Sequence, residues 1–561
     1  MKYYILLLLA AAGFAGCSKQ LNEVPLEKYT EDYVFDPRDS VGTNVEQVLN
    51  NIYSILPNGF NRVGGNFLDA ATDDAISSQY NQAVEYIALS NINSAATHPD
   101  DAWNKNFTGI HKVNLFLKNA AIVPIPLKVP NWKAEARFLR SMFYFELIKR
   151  YGGVPLIGDS VYTYTDNLQL KRNSFAECVK YIVSECDSIK TLVKQEPLST
   201  TDFGRISNGA VLSLKARVLL YAASPLYNGV VSQGSAVQKE LAGYPTYDAN
   251  RWALAAQAAK DVISLNKYSL DPTFNNIFIN RRGNENILSY LRGTSNDVEV
   301  NNGPVGFRTG TTGNGITSPT QDLVEAFPMI DGTPVTASAT YSLQNQYANR
   351  DPRLANTVLY NGVKWLNRNL EMFEGGLDKP NIGNLTQTRT GYYLRKFMGN
   401  LSTSTSITVQ NHNFNIFRYA EILLDYAEAK NEMDGATTEV YQVLKDIRKR
   451  AGISAGTSSL YGLKSNMSKD EMRDAIKLER RLELAFEEHR YWDLRRWKDA
   501  EVVMNKKLSG LIITKDAIAG ATTYKKLDVF QPVFDANKMY LYPIPFSELM
   551  KDRELIQNYG W

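Results

Sequence analysis

Cys17 is the residue whose surroundings define its chemistry most sharply. It follows Ala15 and Gly16 at the end of an apolar run, Tyr3 to Phe14, that opens behind Lys2. About a dozen apolar residues are too few for a bilayer-spanning helix, which needs roughly twenty. A short basic start, an apolar segment of this length and small residues before a cut point form a secretory signal peptide. Small-small-Cys after such a segment matches a lipobox, although Phe14 stands where Leu is more usual. The expected chemistry is transfer of a diacylglycerol to the thiol, removal of residues 1–16 and acylation of the new amino terminus. Several acyl chains on one cysteine make a lasting anchor, because each buried methylene contributes about 0.8 kcal/mol and one chain alone holds only reversibly. The remaining cysteines, Cys178 and Cys186, lie in "CVKYIVSEC". On a helix they stand roughly 12 Å apart, beyond disulfide reach, and are predicted to be buried thiols.

Catalytic and metal-binding patterns are not evident. Walker A and H-E-x-x-H motifs are absent, and the glycines of "GPVGFRTGTTGNG" miss the G-x-G-x-x-G spacing. His98, His111, His412 and His489 are scattered; His489 and Asp493 share a helix face, without further ligands close in sequence. Glycoside hydrolysis needs two carboxylates about 5–9 Å apart across one bond. The adjacent pairs Asp73/Asp74 and Glu487/Glu488 do not face each other on a helix. The expectation is a protein without catalysis, cofactor or metal.

Composition narrows the class. Hydrophobic residues at 44% and charged residues at 22% describe a folded chain with ample core. Lys and Arg number 62 against 59 Asp and Glu, so nucleic-acid binding has no electrostatic footprint. The 32 tyrosines exceed what a core requires and suit surfaces that stack flat ligands.

The elements that must position such surfaces are mostly helical. "WKAEARFLRSMFYFELIKRYGGVPL", "GAVLSLKARVLLYAASPLY" and "DANRWALAAQAAKDVISLN" carry apolar residues at helical spacing, and Phe417 to Ile453 reads as two helices hinged near Asp434 and Gly435. Small alanines at the crossing points resemble tetratricopeptide units. Leu478 to Asp499 reads as one helix that is apolar on two sides, with i,i+3 pairs Arg480/Glu483, Glu487/Arg490 and Asp493/Arg496 and with Trp492 and Trp497 turned inward. This stretch is expected to be a structural hub. From 266 to 414 helical periodicity fades into Gly-, Asn-, Ser- and Thr-rich loops with short strands such as "NILSYLRG". Long ordered loops are uncommon unless functional. The predicted fold is all-α: a tetratricopeptide-like helical-hairpin scaffold with a long loop-rich insertion containing a few short strands. Its predicted parts are a signal peptide (1–16), an N-terminal helical part (17–265), a loop-rich ligand face (266–414) and a C-terminal helical part (415–561).

"ERRLELAFEEHRYWDLRRW" closely resembles the C-terminal hallmark of the SusD/RagB family of lipid-anchored outer-membrane nutrient-binding proteins of the Bacteroidetes. "AEARFLRSMFYFELIKRYGGVPL", "RDPRL", "FRYAEILLDYAEA" and the closing "YPIPFSELMKDRELIQNYGW" agree in order, although "QNYGW" departs where the family commonly has Pro before Gly. The resemblance implies a non-catalytic protein that captures oligosaccharide or polysaccharide and delivers it to a SusC-like TonB-dependent transporter. Its RagB branch implies a peptide ligand instead. It also implies surface exposure in the outer membrane, for which Lys19, where acidic residues are common, is a departure.

Sugar binding combines a ring laid on an aromatic with groups that satisfy hydroxyls. Loop residues with that chemistry are Asp69, Asp73 and Tyr80 near the N-terminus and Phe307, Arg308, Tyr341, Trp365, Arg368 and Tyr393 in the middle. Trp103 is assigned to the core.

Overall fold

A computed structural model describes residues 31–561 apart from 164, 231–233, 308–312, 384, 400, 402–403, 406 and 408–411. Cys17 and Arg308 therefore lie outside the described residues.

The principal helices are α1 (Thr43–Tyr53), α2 (Trp103–Asn119), α3 (Val129–Tyr151), α4 (Phe175–Ile189), α5 (Asn208–Ala223), α6 (Asn250–Ser264), α7 (Tyr419–Asp434), α8 (Thr438–Ala451), α9 (Lys469–Glu483) and α10 (Arg490–Arg496). From α2 to α7 each packs on the next, and α7 is covered by α8 and α9. Small residues permit this stacking: a Cβ on Gly109 of α2 would stand 2.6 Å from the Phe143 ring of α3. Ends are set locally. Ser174 and Glu177 form a capping box on α4, as Ser468 and Glu471 do on α9, each satisfying otherwise orphaned amides. Gly152 closes α3 with φ 74°, as the Gly-Gly-Pro stop predicts. Cys178 and Cys186 are buried free thiols, and Trp103 is 5% exposed in the core.

The loop-rich middle is stitched to this scaffold by two-stranded antiparallel ladders. β1 (Ala75–Ser77) pairs with β3 (Thr317–Pro319), and β2 (Asn286–Tyr290) with β8 (Phe414–Arg418). The β2–β8 ladder brings the start and end of the insertion together beside α7. Within it β4 (Val358–Leu359) pairs with β7 (Tyr393–Leu394), and β5 (Lys364–Trp365) with β6 (Arg368–Asn369).

Two expectations are corrected. The C-terminal part is not wholly helical: β9 (Leu508–Lys515) and β10 (Thr522–Phe530) form a hairpin that packs beside the insertion. Leu478 to Asp499 is not one helix, because α9 ends at Glu483 and the chain turns through Phe486 (φ 62°) and Glu488 (φ 65°) before α10. The break re-aims the charges. Of the expected i,i+3 pairs only Asp493–Arg496, at 2.7 Å, is formed. Arg480 instead meets Asp425 at 2.5 Å, Arg490 meets Asp73 at 2.9 Å, and Glu483 meets Arg353, Arg418 and Arg450. The stretch is a hub of long-range buried ion pairs.

Candidate ligand face

The N-terminal loop and the insertion meet where β1 pairs with β3. Just past β1, Ser77 Oγ accepts the Gln79 amide, Ser78 Oγ lies 2.7 Å from Ser318 Oγ, and Gln79 Nε2 donates to Thr386 Oγ1. Asn81 turns through the left-handed region and donates its amide to Glu85 at 2.5 Å. Between them Tyr80 projects with 69% of its surface exposed. The Arg389 guanidinium lies 4.0 Å from its ring centroid and is itself tied to Glu85 (2.5 Å) and the Ser77 carbonyl (3.0 Å). One ring face is thus held by a fixed cation and the ring remains largely open. Gln79 and Gln82 flank it in sequence and are partly exposed, and Gln82 Nε2 donates to the Tyr80 carbonyl at 3.1 Å.

A chain of contacts runs inward from this platform. Thr388 donates its amide to the Tyr393 hydroxyl, which donates to the Asp378 carbonyl at 2.7 Å. The Asp378 carboxylate takes both Arg368 Nη groups at 2.7 and 2.9 Å, and Arg368 lies 4.0 Å from the Phe307 ring. Four of the sequence candidates, Tyr80, Tyr393, Arg368 and Phe307, therefore belong to one network. Only Tyr80 faces solvent broadly; Tyr393 is fully buried and braces the loop from beneath.

Three other candidates are corrected by burial. Trp365 is fully buried, with the Arg395 guanidinium 5.9 Å from its ring. Asp69 is 1% exposed and accepts the Phe486 amide at 2.9 Å. Burial and the nearby Asp74 and Glu488 carboxylates push its carboxyl well above the usual range. Burial would also raise Asp73, but Arg481 and Arg490 overcome it and hold that carboxyl below its ordinary value. Both aspartates hold the α9–α10 break in place. Tyr341, half-buried, lies apart beneath Arg350, 5.5 Å from its guanidinium. Arg389, Thr386 and Gln79 were not among the sequence candidates; their partners are far away in the chain, so no local pattern marks them.

Three arrangements that could suggest catalysis do not build a catalytic site. Gly452–Gly456, "GISAG", has the spacing of a nucleophile elbow but follows the end of α8, whereas the elbow is a strand-to-helix turn. His489 precedes α10, is half-buried and faces arginines; no three-residue His/Cys/Asp/Glu group able to hold a metal occurs among the described residues. His412 Nε2 stands 3.5 Å from Glu299 Oε1, both side chains buried and without hydrogen bonds. Burial, then Asp297, pushes Glu299 up to about 8, while burial, then Arg292, lowers His412 to about 4. Glu299 is thus folded as the acid. The stability this contributes is complete below the ordinary carboxyl range and is lost as pH rises through about 8. Glu299→Gln is expected to leave the urea midpoint nearly unchanged at pH 5 and to stabilise the protein on the order of 2 kcal/mol at pH 9. Equal shifts at both pH values would contradict this.

Comparison with known proteins follows the same lines. The model of the SusD family matches residues 278–561, half of the chain, and a model described as starch-binding associating with outer membrane matches 28–220. SusD-like protein P38 of Formosa agariphila is 26% identical over 451 residues, 78% of this chain and 79% of that protein. SusD-like protein P2 of the same organism is 34% identical over 146 residues, and the match covers only 25% of its length. A SusD-like protein from Bacteroides fragilis superposes with TM-score 0.78 at 24% identity, covering 96% of this chain and 100% of the other. A SusD-like carbohydrate-binding protein from the same species gives TM-score 0.73 at 22% identity, covering 92% and 99%.

Proposed function

Because the chain belongs to the SusD family, we propose that it is a non-catalytic glycan-binding lipoprotein of the outer membrane that hands captured oligosaccharide to a SusC-like TonB-dependent transporter. The observation that carries the ligand class is the Tyr80 platform: an open aromatic ring backed by Arg389, on a loop that also carries the partly exposed amides of Gln79 and Gln82. A pyranose offers one apolar face and a rim of hydroxyls, and the platform answers each part. A family model described as outer-membrane associating and a structural neighbour described as carbohydrate-binding support the same reading. Among the described residues no helix is long and apolar enough to cross a membrane, which is consistent with a lipid on Cys17 as the attachment. The transporter follows from the family resemblance.

Calorimetric titration of residues 17–561 with plant, fungal and host glycans beside a peptide digest tests this. Saturable heat is expected with one glycan class. Tyr80→Ala is expected to weaken it roughly tenfold to thirtyfold, the usual loss when an aromatic anchor is truncated. Heat with peptides alone, release of new reducing ends, or an unchanged Tyr80→Ala affinity would each overturn part of the reading.

A further inference from the structure

A second aromatic site lies on the helical scaffold, away from the loop face. At the end of α5 the chain passes Pro225 and Asn228; Asn228 holds a turn that carries Tyr247. Its Nδ2 donates to the Asp248 carbonyl at 3.0 Å, and its Oδ1 accepts the Asp248 amide at 2.9 Å and Arg251 Nη1 at 2.5 Å. Gly229, at φ 87°, lets the Tyr247 backbone approach so closely that a Cβ there would stand 3.0 Å from the Tyr247 Cβ. Tyr247 is nonetheless 60% exposed. An exposed ring on a turn fixed this thoroughly loses little freedom when it meets a ligand.

Tyr247 forms one wall of a groove of ≈ 270 Å³ whose lining includes Pro225, Trp252 of α6, Asn431 of α7, Arg473 of α9 and Trp497. Charges here are neutralised. Arg473 is bidentate to Glu432, Lys477 pairs with Asp499 at 2.7 Å, and Glu428 accepts Trp497 Nε1 at 2.8 Å and pairs with Arg496. Asn431 is fully buried and its Oδ1 has no hydrogen-bond donor. The volume falls just below that of sites for drug-sized ligands, about 300 Å³ upward. It suits one or two sugar rings. Aromatic walls and paired charges favour an uncharged, hydroxylated ring over an anionic one.

We propose that this groove is a second saccharide-binding site for neutral glycans, so that one polymer chain engages the scaffold as well as the loop face. The inference rests on the glycan-binding reading and adds a location to it. Two linked contacts raise retention of a polymer without changing the affinity of a short fragment for either site.

The test uses residues 17–561 with starch, laminarin and xylan as separate polymer probes and with a trisaccharide of whichever binds. Tyr247→Ala is expected to lower polymer retention in affinity gels about tenfold and to leave trisaccharide heat at the Tyr80 platform unchanged. Hydrogen exchange with polymer should slow in peptides covering 243–252 and 473–477 as well as 79–87. Slowing confined to 79–87, or full polymer retention by Tyr247→Ala, overturns the second site and leaves the loop face standing. Slowing at 243–252 alone overturns the loop-face reading and leaves this one. If no polymer is retained, both fall.

Discussion

Arg418→Ala is expected to destabilise the protein by about 3–5 kcal/mol, the loss typical of removing one partner from a buried ion pair. Arg418 ends β8 where the insertion rejoins the helices, and it is 2% exposed. Its guanidinium donates to Glu285 at 2.6 Å, to Glu483 at 2.8 Å and to Glu487 at 2.6 and 2.8 Å. Removing it leaves three carboxylates from two segments facing one another in the interior. Lys396 and Arg450 remain, since Lys396 pairs with Glu487 at 2.7 Å and Arg450 with Glu285 at 2.7 Å, so the site is weakened without losing every cation. Urea denaturation should show the loss. Lys507→Ala, which breaks the exposed Lys507–Asp528 pair, should change stability by less than about 1 kcal/mol. Burial alone would raise the Glu483 carboxyl, but Arg450, Arg418 and Arg353 together hold it low. A carboxyl lowered in the fold contributes stability above its ordinary pKa and loses it as pH falls through the folded value. The hub should therefore weaken on acidification, and the gap between wild type and Arg418→Ala should narrow towards pH 3. A gap of constant size would show that the arginine acts by packing alone.

The hub also shows which features the sequence makes legible. Helical spacing marks α3, α5, α6 and the α7–α8 pair, and Gly152, Gly435 and Gly452 close α3, α7 and α8. The break between α9 and α10 is not marked, since Phe486 and Glu488 adopt positive φ although neither residue type favours it. Tertiary contacts impose that turn: Asp69, more than four hundred residues away, accepts the Phe486 amide. The same contact explains why Asp69 and Asp73 resemble ligand-binding carboxylates in sequence and are structural in the fold. Trp365 is misjudged for a related reason. A loop-like composition says nothing of depth, and the β5–β6 turn carries that tryptophan into the core. Tyr80 is legible as an aromatic among polar residues, whereas its backing by Arg389 requires a pairing across more than three hundred positions, fixed by the bonds of Arg389 to the Ser77 carbonyl and Glu85.

Cys17→Ala is expected to shift the protein almost completely from the membrane fraction to the soluble or uncleaved fraction. The physical basis is additive. At about 0.8 kcal/mol per buried methylene a single long acyl chain gives only marginal binding, whereas two or three on one residue anchor the protein for the life of the cell. Among the described residues no helix is long and apolar enough to cross a membrane. Detergent phase partitioning with intact-mass measurement separates the outcomes. Wild type should enter the detergent phase with a mass that starts at residue 17 and carries acyl groups. The variant should stay aqueous, or retain residues 1–16 where signal cleavage depends on the lipid. A Cys17→Ala protein that still partitions into detergent without a lipid mass would remove the anchor from the proposed mechanism and leave the family fold and the Tyr80 face to be explained without it.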